Sequence, residues 1–240
     1  MNILLLDPDD LWSHDGSVTL RDHRANHIRT VLKSKVGDTL RVGLLGGDRG
    51  EGLITAMDAD VVTLFVRLDH APPARHRFEL VLALPRPKML RRILRTVAEF
   101  GVGHLHLINS ARVEKSYWQS PLLSTEKVAE ALQTGLERSQ DTVAPKVSQH
   151  RLFRPFVEDQ LIDLCAGRPC WITEIGASRS LMDTPAEPAV VMIGPEGGFV
   201  PFELALVESA GAHPVNLGRR TLSVDTALTA VLAQGMAINS

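Results

Sequence analysis

The chain has 240 residues, enough for one large or two modest domains. Its composition, 44% hydrophobic and 22% charged, is that of an ordinary globular protein and excludes a disordered or collagen-like chain. A formal net charge of −2 excludes a uniformly basic surface, so any face for nucleic acid must be local.

Short strands are predicted at residues 3–6, 17–20, 38–42, 52–57 and 61–66. Gly46-Gly47-Asp48-Arg49-Gly50 makes a strong turn signal between two of them. One helix interrupts them at 22–33, with Ile28, Val31 and Leu32 on one face. Several short strands with one helix suggest a small β-barrel. Ala71-Pro72-Pro73-Ala74 then reads as a linker, so the expected domains are 1–72 and 73–240.

Beyond Arg75 apolar runs alternate with helical patterns. Strands are expected at 78–84, 104–108, 170–175, 190–193 and 214–217. Met89, Leu90, Ile93, Leu94, Val97 and Ala98 give one helix an apolar face, with Arg91, Arg92 and Arg95 opposite. A second helix follows Ser124 as N-cap, a third starts near Pro201, and the last runs through Val224, Ala227, Leu228, Val231 and Leu232. This order implies an α/β fold with a mostly parallel sheet covered on both faces.

The apolar run Val190-Val191-Met192-Ile193 leads straight into Gly194-Pro195-Glu196-Gly197-Gly198-Phe199 and then a helix. Open α/β sheets bind ligands at the carboxyl ends of their strands, and glycines let backbone approach a ligand closely. Neither the Walker Gly-Lys-Ser/Thr nor Gly-x-Gly-x-x-Gly is present. Alone, such a loop binds a ligand or is only a tight turn. A second strand, loop and helix follows about twenty residues later in Val215-Asn216-Leu217-Gly218-Arg219-Arg220-Thr221-Leu222-Ser223-Val224-Asp225-Thr226-Ala227.

The two loops together resemble the SPOUT class of RNA methyltransferases. Within it, the chain is similar to the family that methylates N3 of a uridine in 16S ribosomal RNA. The segments around Arg24, His27 and Lys33, around Glu99 to Val102, and from Glu137 to Pro145 extend the resemblance over most of the chain. Two positions depart from it: the family's Leu-Arg-x-Glu-Thr-Ala reads Leu222-Ser223-Val224-Asp225-Thr226-Ala227 here, without the arginine and with a shorter carboxylate. Further departures are Arg138-Ser139-Gln140-Asp141 and Pro85-Arg86-Pro87-Lys88-Met89-Leu90.

The resemblance implies a trefoil knot in the C-terminal domain, a PUA-like barrel at the N-terminus, a homodimer, and RNA crossing both subunits. It implies S-adenosylmethionine held by Ile193, Gly194, Pro195, Glu196, Gly197, Gly198, Leu217, Gly218, Leu222 and Ala227. Arg220 is the candidate donor to the uracil oxygens as the N3 proton leaves. Asp225 is the second catalytic candidate, with helix capping as its structural alternative.

Between Arg75 and Arg95 seven Arg or Lys face only Glu79, and from Arg21 to Lys35 five face only Asp22. RNA needs cations, and Arg29, Lys33, Arg86, Lys88, Arg91 and Arg92 are the candidates, although a charge run is more often a solvated face. Tyr117 and Trp118 are stacking candidates, with core packing or a dimer contact as the alternative. His104 and His106 share one face of a strand, but no third and fourth metal ligand stands out, so no metal is expected. Cys165 and Cys170 read as reduced thiols. Asp7, Asp9 and Asp10 follow Leu4-Leu5-Leu6 at once, unlike a secretory leader, and no apolar run approaches the ~20 residues of a membrane span. A cytoplasmic protein without a membrane partner is expected. Two other functions fit the same loops: a ribose 2′-O-methyltransferase of this class, and an inactive RNA-binding or ribosome-assembly factor. A generic nucleotide binder fits them less well.

Overall fold

A computed structural model describes residues 2–236; residue 1 and residues 237–240 of the expected domain ranges lie outside the described residues. The chain divides into two compact units. The first comprises Met1–Ala74 and Thr134–Ala144, the second Arg75–Gln133 and Pro145–Ser240.

In the first unit β1 (Leu4–Leu6), β2 (Leu11–Trp12), β3 (Ser17–Leu20), β4 (Thr39–Leu44), β5 (Arg49–Met57) and β6 (Val62–His70) form one sheet of order β1-β4-β5-β6-β3-β2. Only β1 and β4 pair in parallel. Alternation along the strands buries Val18, Leu20, Val42, Ile54, Val62 and Leu64 against Ala25 and Ile28 of α1 (His23–Thr30). Asp22 caps α1 by accepting the Arg24 N–H. The helix stops at Thr30, short of the expected Lys33, because Lys33 takes a left-handed φ of 54°. β2 went unpredicted because two residues carry no periodicity. Gly50 sits at a register shift between β5 and β6, where a Cβ would strike the Arg67 carbonyl.

Segment 134–144 joins this unit through backbone: Asn2 N–H donates to Glu137 O (2.9 Å), Gly46 N–H to Thr142 O (2.8 Å), and Arg49 to Gln140 O (3.0 Å). A charge cluster of the unit is centred on Arg24. Its guanidinium donates to both Asp10 oxygens (2.8 and 2.6 Å), to Asp22 (2.7 Å) and to Leu5 O (2.9 Å).

The second unit is built on β7 (Phe78–Ala83), β8 (His104–Ile108), β9 (Lys146–His150), β10 (Cys170–Thr173), β11 (Ala189–Ile193) and β12 (Ala212–Val215). Their order is β12-β10-β11-β7-β8-β9, and every pairing is parallel. β11 is buried throughout, as a central strand covered on both faces must be. Phe78 and Glu79 point to opposite faces. On the Phe78 side α7 (Val224–Gly235) packs with α2 (Pro87–Glu99). On the Glu79 side lie α4 (Phe153–Asp159) and α5 (Leu161–Cys165), with α6 (Pro201–Ser209) beside α4. The helix α3 (Thr125–Ser139) follows Ser124 as expected.

β9, α4 and α5 went unpredicted. β9 is a polar edge strand, and the helices are short. Pro214 is tolerated inside β12 because that strand is an edge and pairs only with β10. No helix among the described residues is long and apolar enough to cross a membrane.

The carboxyl end of α7 is fastened by the start of β7. Arg77 donates to Gly235 O, Gln234 O and Pro185 O, each at 3.1 Å. His76 Nε2 donates to Leu232 O (2.9 Å) while its Nδ1 accepts the Phe78 N–H (3.0 Å).

Replacing Arg24 with Met leaves Asp10 without its main partner in a site where both side chains are only 11–12% exposed. Urea denaturation should show a loss of about 2–4 kcal/mol. His76 is bound as the neutral ring, and burial lowers its pKa from 6.5. A base whose folded pKa is depressed stabilises above its unfolded pKa and loses that contribution as pH falls through the folded value. Melting temperature should therefore fall below pH ~6.5, with a shallower fall in His76→Phe.

Candidate cofactor site

Three loops leave the carboxyl ends of β10, β11 and β12, which are neighbours in the sheet. They line a pocket of about 440 Å³. Ile193, Gly194, Pro195, Glu196, Gly197 and Gly198 form one wall, and Leu217, Gly218, Leu222 and Ala227 another. Every residue that the sequence offered for a cofactor is on these walls, and so is Arg220. The sequence missed the third wall, Thr173, Glu174, Ile175 and Gly176. It was read as the end of a strand, but pairing stops at Thr173.

Gly198 and Gly218 have φ of 71° and 112°, which only glycine adopts without strain. A Cβ on Gly194 would press on the Phe199 ring at 3.1 Å. The loop is thus folded on itself with bare backbone toward the cavity.

Two further residues hold it. Arg112, just beyond β8, donates to the carbonyls of Gly197 and Gly198. Glu203 in α6 is buried, and its carboxylate accepts the N–H of Ala111 (2.7 Å) and of Val200 (3.0 Å). One side chain therefore ties the loop after β8 to the loop after β11. A Glu at the third position of a helix that starts with proline was the available signal for Glu203; nothing local marked Arg112.

Asp225 is not among the pocket's lining residues. It lies in the first turn of α7, where it accepts from the Ser223 hydroxyl (2.6 Å) and pairs with Arg92 of α2 (3.3 Å). The Ser223 hydroxyl holds its pKa below the usual 3.8. Glu196 pairs with Arg86 at 3.4 Å. Arg86, Lys88, Arg91 and Arg92 are all exposed at or along α2. In the first unit Lys33 is exposed, while the half-buried Arg29 donates to Asp58 O (3.2 Å) and Asn26 (3.4 Å). Trp118 is buried with its indole N–H on Asn109 (3.0 Å), whereas Tyr117 is partly exposed and bonds Glu114 (3.0 Å). The expectation that no third ligand accompanies His104 and His106 does not hold: β7 brings Glu79 to both.

A family model described as an RNA methyltransferase domain matches residues 72–236. The chain belongs to this RNA methyltransferase family. It is 31% identical to a ribosomal RNA small subunit methyltransferase E of Treponema pallidum, over 97% of this chain and 90% of that protein. Among solved structures it is similar to the ribosomal RNA small subunit methyltransferase E of Neisseria gonorrhoeae bound to S-adenosyl methionine, with a TM-score of 0.76, 21% identity, and coverage of 97% of this chain and 95% of that one. A putative methyltransferase from Legionella pneumophila in complex with the same cofactor matches with a TM-score of 0.75, 19% identity, and coverage of 97% and 95%. At those identities the two structures establish a shared fold.

Replacing Glu203 with Ala strands two backbone N–H groups. The expected cost is about 2 kcal/mol, read as a melting temperature lower by about 4–8 °C, with faster amide exchange at Ala111 and Val200.

Proposed function

We propose that this chain is an S-adenosylmethionine-dependent methyltransferase that modifies N3 of a uridine in the 16S RNA of the small ribosomal subunit. The observation that carries the proposal is the pocket wall. Two glycine-bearing loops about twenty residues apart in sequence, both expected to hold the cofactor, meet around one cavity at the carboxyl ends of strands of one parallel sheet. Family membership supports the chemistry, and the name of the Treponema relative supports the RNA.

The residues fit that cofactor. The cavity is within the size range of small-molecule sites, and Ile193, Phe199, Leu217 and Leu222 give it apolar surface. Glycines 194, 197, 198 and 218 put backbone rather than side chains on the wall, where an adenine can be read by main-chain groups. When bound, the cofactor supplies a methyl group already activated on sulfonium.

What remains for the protein is alignment and charge stabilisation. Uracil gives up its N3 proton to solvent water, and negative charge spreads to O2 and O4. We assign Arg220, on the pocket wall, as the donor that meets this charge. Asp225, bound by Ser223 and Arg92, acts as a positioning residue that anchors the start of α7.

We read the first unit as a PUA-like RNA-binding barrel carrying Lys33 and Arg29, and the second as the methyltransferase domain carrying Arg86, Lys88, Arg91 and Arg92 toward phosphates. We read the second unit as knotted, as the family resemblance implies; segment 177–181 runs parallel beside the end of β12. Asn216 donates to Arg179 O (2.8 Å) and accepts from Leu181 (3.0 Å), and its amide reaches Ala177 O (2.8 Å). We read the protein as a homodimer, as the family resemblance implies. Cytoplasmic residence accords with a ribosomal substrate.

The test uses purified protein, S-adenosylmethionine and small-subunit RNA, with mass spectrometry of the nucleosides. Base-methylated uridine is expected; a methyl on ribose, or no measurable cofactor binding, would overturn the assignment. Arg220→Ala should lower kcat about a hundredfold while the cofactor Kd stays within about twofold.

A further inference from the structure

We propose that Glu79, His104 and His106 form a binding site for a first-row transition-metal dication of the Zn²⁺ type, separate from the cofactor pocket. Glu79 Oε1 lies 2.9 Å from His106 Nε2 and 3.3 Å from His104 Nδ1. All three ligand atoms fall within 4.8 Å of one another. Bonds of about 2.0–2.1 Å to a tetrahedral ion place its ligands roughly 3.3 Å apart, so small side-chain adjustments suffice. Two imidazoles and one carboxylate are a donor set that zinc and its neighbours take, leaving a fourth position for water.

The outer contacts strengthen the case. A metal-binding side chain needs its other polar atom held, and here each one is. His104 Nε2 meets Ser148 Oγ at 2.8 Å. His106 Nδ1 meets His150 Nε2 at 3.1 Å. Glu79 Oε2 accepts from Arg168 at 2.7 Å, which leaves Oε1 to the histidines.

A consistent proton arrangement exists with the ion bound. His104 would coordinate through Nδ1 and donate Nε2–H to Ser148. His106 would coordinate through Nε2 and donate Nδ1–H to His150. Both rings stay neutral, so the change from the ion-free state is a tautomer shift with no net proton uptake.

The site lies toward the amino ends of β7 and β8. Glu79 is in register with Val190, and Leu82 with Ile193, where the cofactor loop begins. Those three residues of strand separate the two sites by about 10 Å. The ion would therefore clamp β7 to β8 beneath α4 and α5 and take no part in methyl transfer.

The experiment is titration of chelator-treated full-length protein with Co²⁺, followed by visible absorption, and with Zn²⁺, followed by calorimetry. One ion per chain is expected, with a melting temperature raised by about 5 °C at a hundredfold excess over Kd. Binding should vanish in Glu79→Gln and His104→Ala and persist in Cys165→Ser, the neighbouring thiol. X-ray absorption of the metal-loaded wild type serves if a variant fails to fold: nitrogen and oxygen neighbours at about 2.0 Å are expected. No binding by the wild type, sulfur neighbours at about 2.3 Å, or binding that survives in folded His104→Ala would each overturn the site.

Discussion

Parallel pairing of β10 with both β11 and β12 brings three strand ends to one level, and the functional surface of the second unit depends on that geometry. A parallel strand must return through a crossover, so consecutive loops at the same end come from distant parts of the chain. Here they come from 173–176, 193–199 and 217–224. None encloses a cavity alone. Glu203 and Arg112 then add what the sheet cannot provide: fixed orientation of the glycine loop relative to the loop after β8. Glu203 does this from within the protein, where buried carboxylate oxygens need hydrogen-bond partners and two backbone N–H groups supply them.

Ser223 and Asp225, two of the departures from the family pattern, form a side-chain cluster at the start of α7. The Ser223 hydroxyl bridges Asp225 (2.6 Å) and Thr226 (2.9 Å) at the first turn of α7. The guanidinium absent at position 223 has a counterpart in Arg92, delivered from α2 to Asp225. The shortened carboxylate thus meets its cation from another helix. A negative charge at this point also faces the positive end of the α7 dipole. The change at 223 and 225 therefore leaves a charged, hydrogen-bonded anchor in place.

The legible parts of the fold were those encoded locally. β11 is a continuous apolar run and the glycines after it sit at a strand end, so both strand and loop could be read from a dozen residues. The amphipathic face of α2 and the cap at Ser124 were local too. What escaped was set by partners distant in sequence. β9 looks polar because Ser148 and His150 face His104 and His106, more than forty residues earlier. Glu79 seemed an isolated acid in a basic run until β7 and β8 paired. Residues 134–144 carry no compositional break, yet backbone bonds to Asn2 and Gly46 draw them into the first unit. The wall at 173–176 lacked a glycine pair, and only its neighbours β11 and β12 reveal it as part of a pocket.

α7 connects these observations. Its first turn supplies Val224 and Ala227 to the pocket, and its last turn is gripped by His76 and Arg77. Gly235 allows that grip, since a Cβ there would collide with His76 and Phe78. A helix free at one end frays and moves the groups at the other, which degrades a site whose task is alignment. Fastening both ends removes that freedom before a ligand arrives. The polar cluster at the amino ends of β7 and β8 and the pocket at the carboxyl ends of β10 to β12 are then two ends of one rigid sheet. Strain introduced at either is carried by strands buried on both faces, which have no low-energy way to bend.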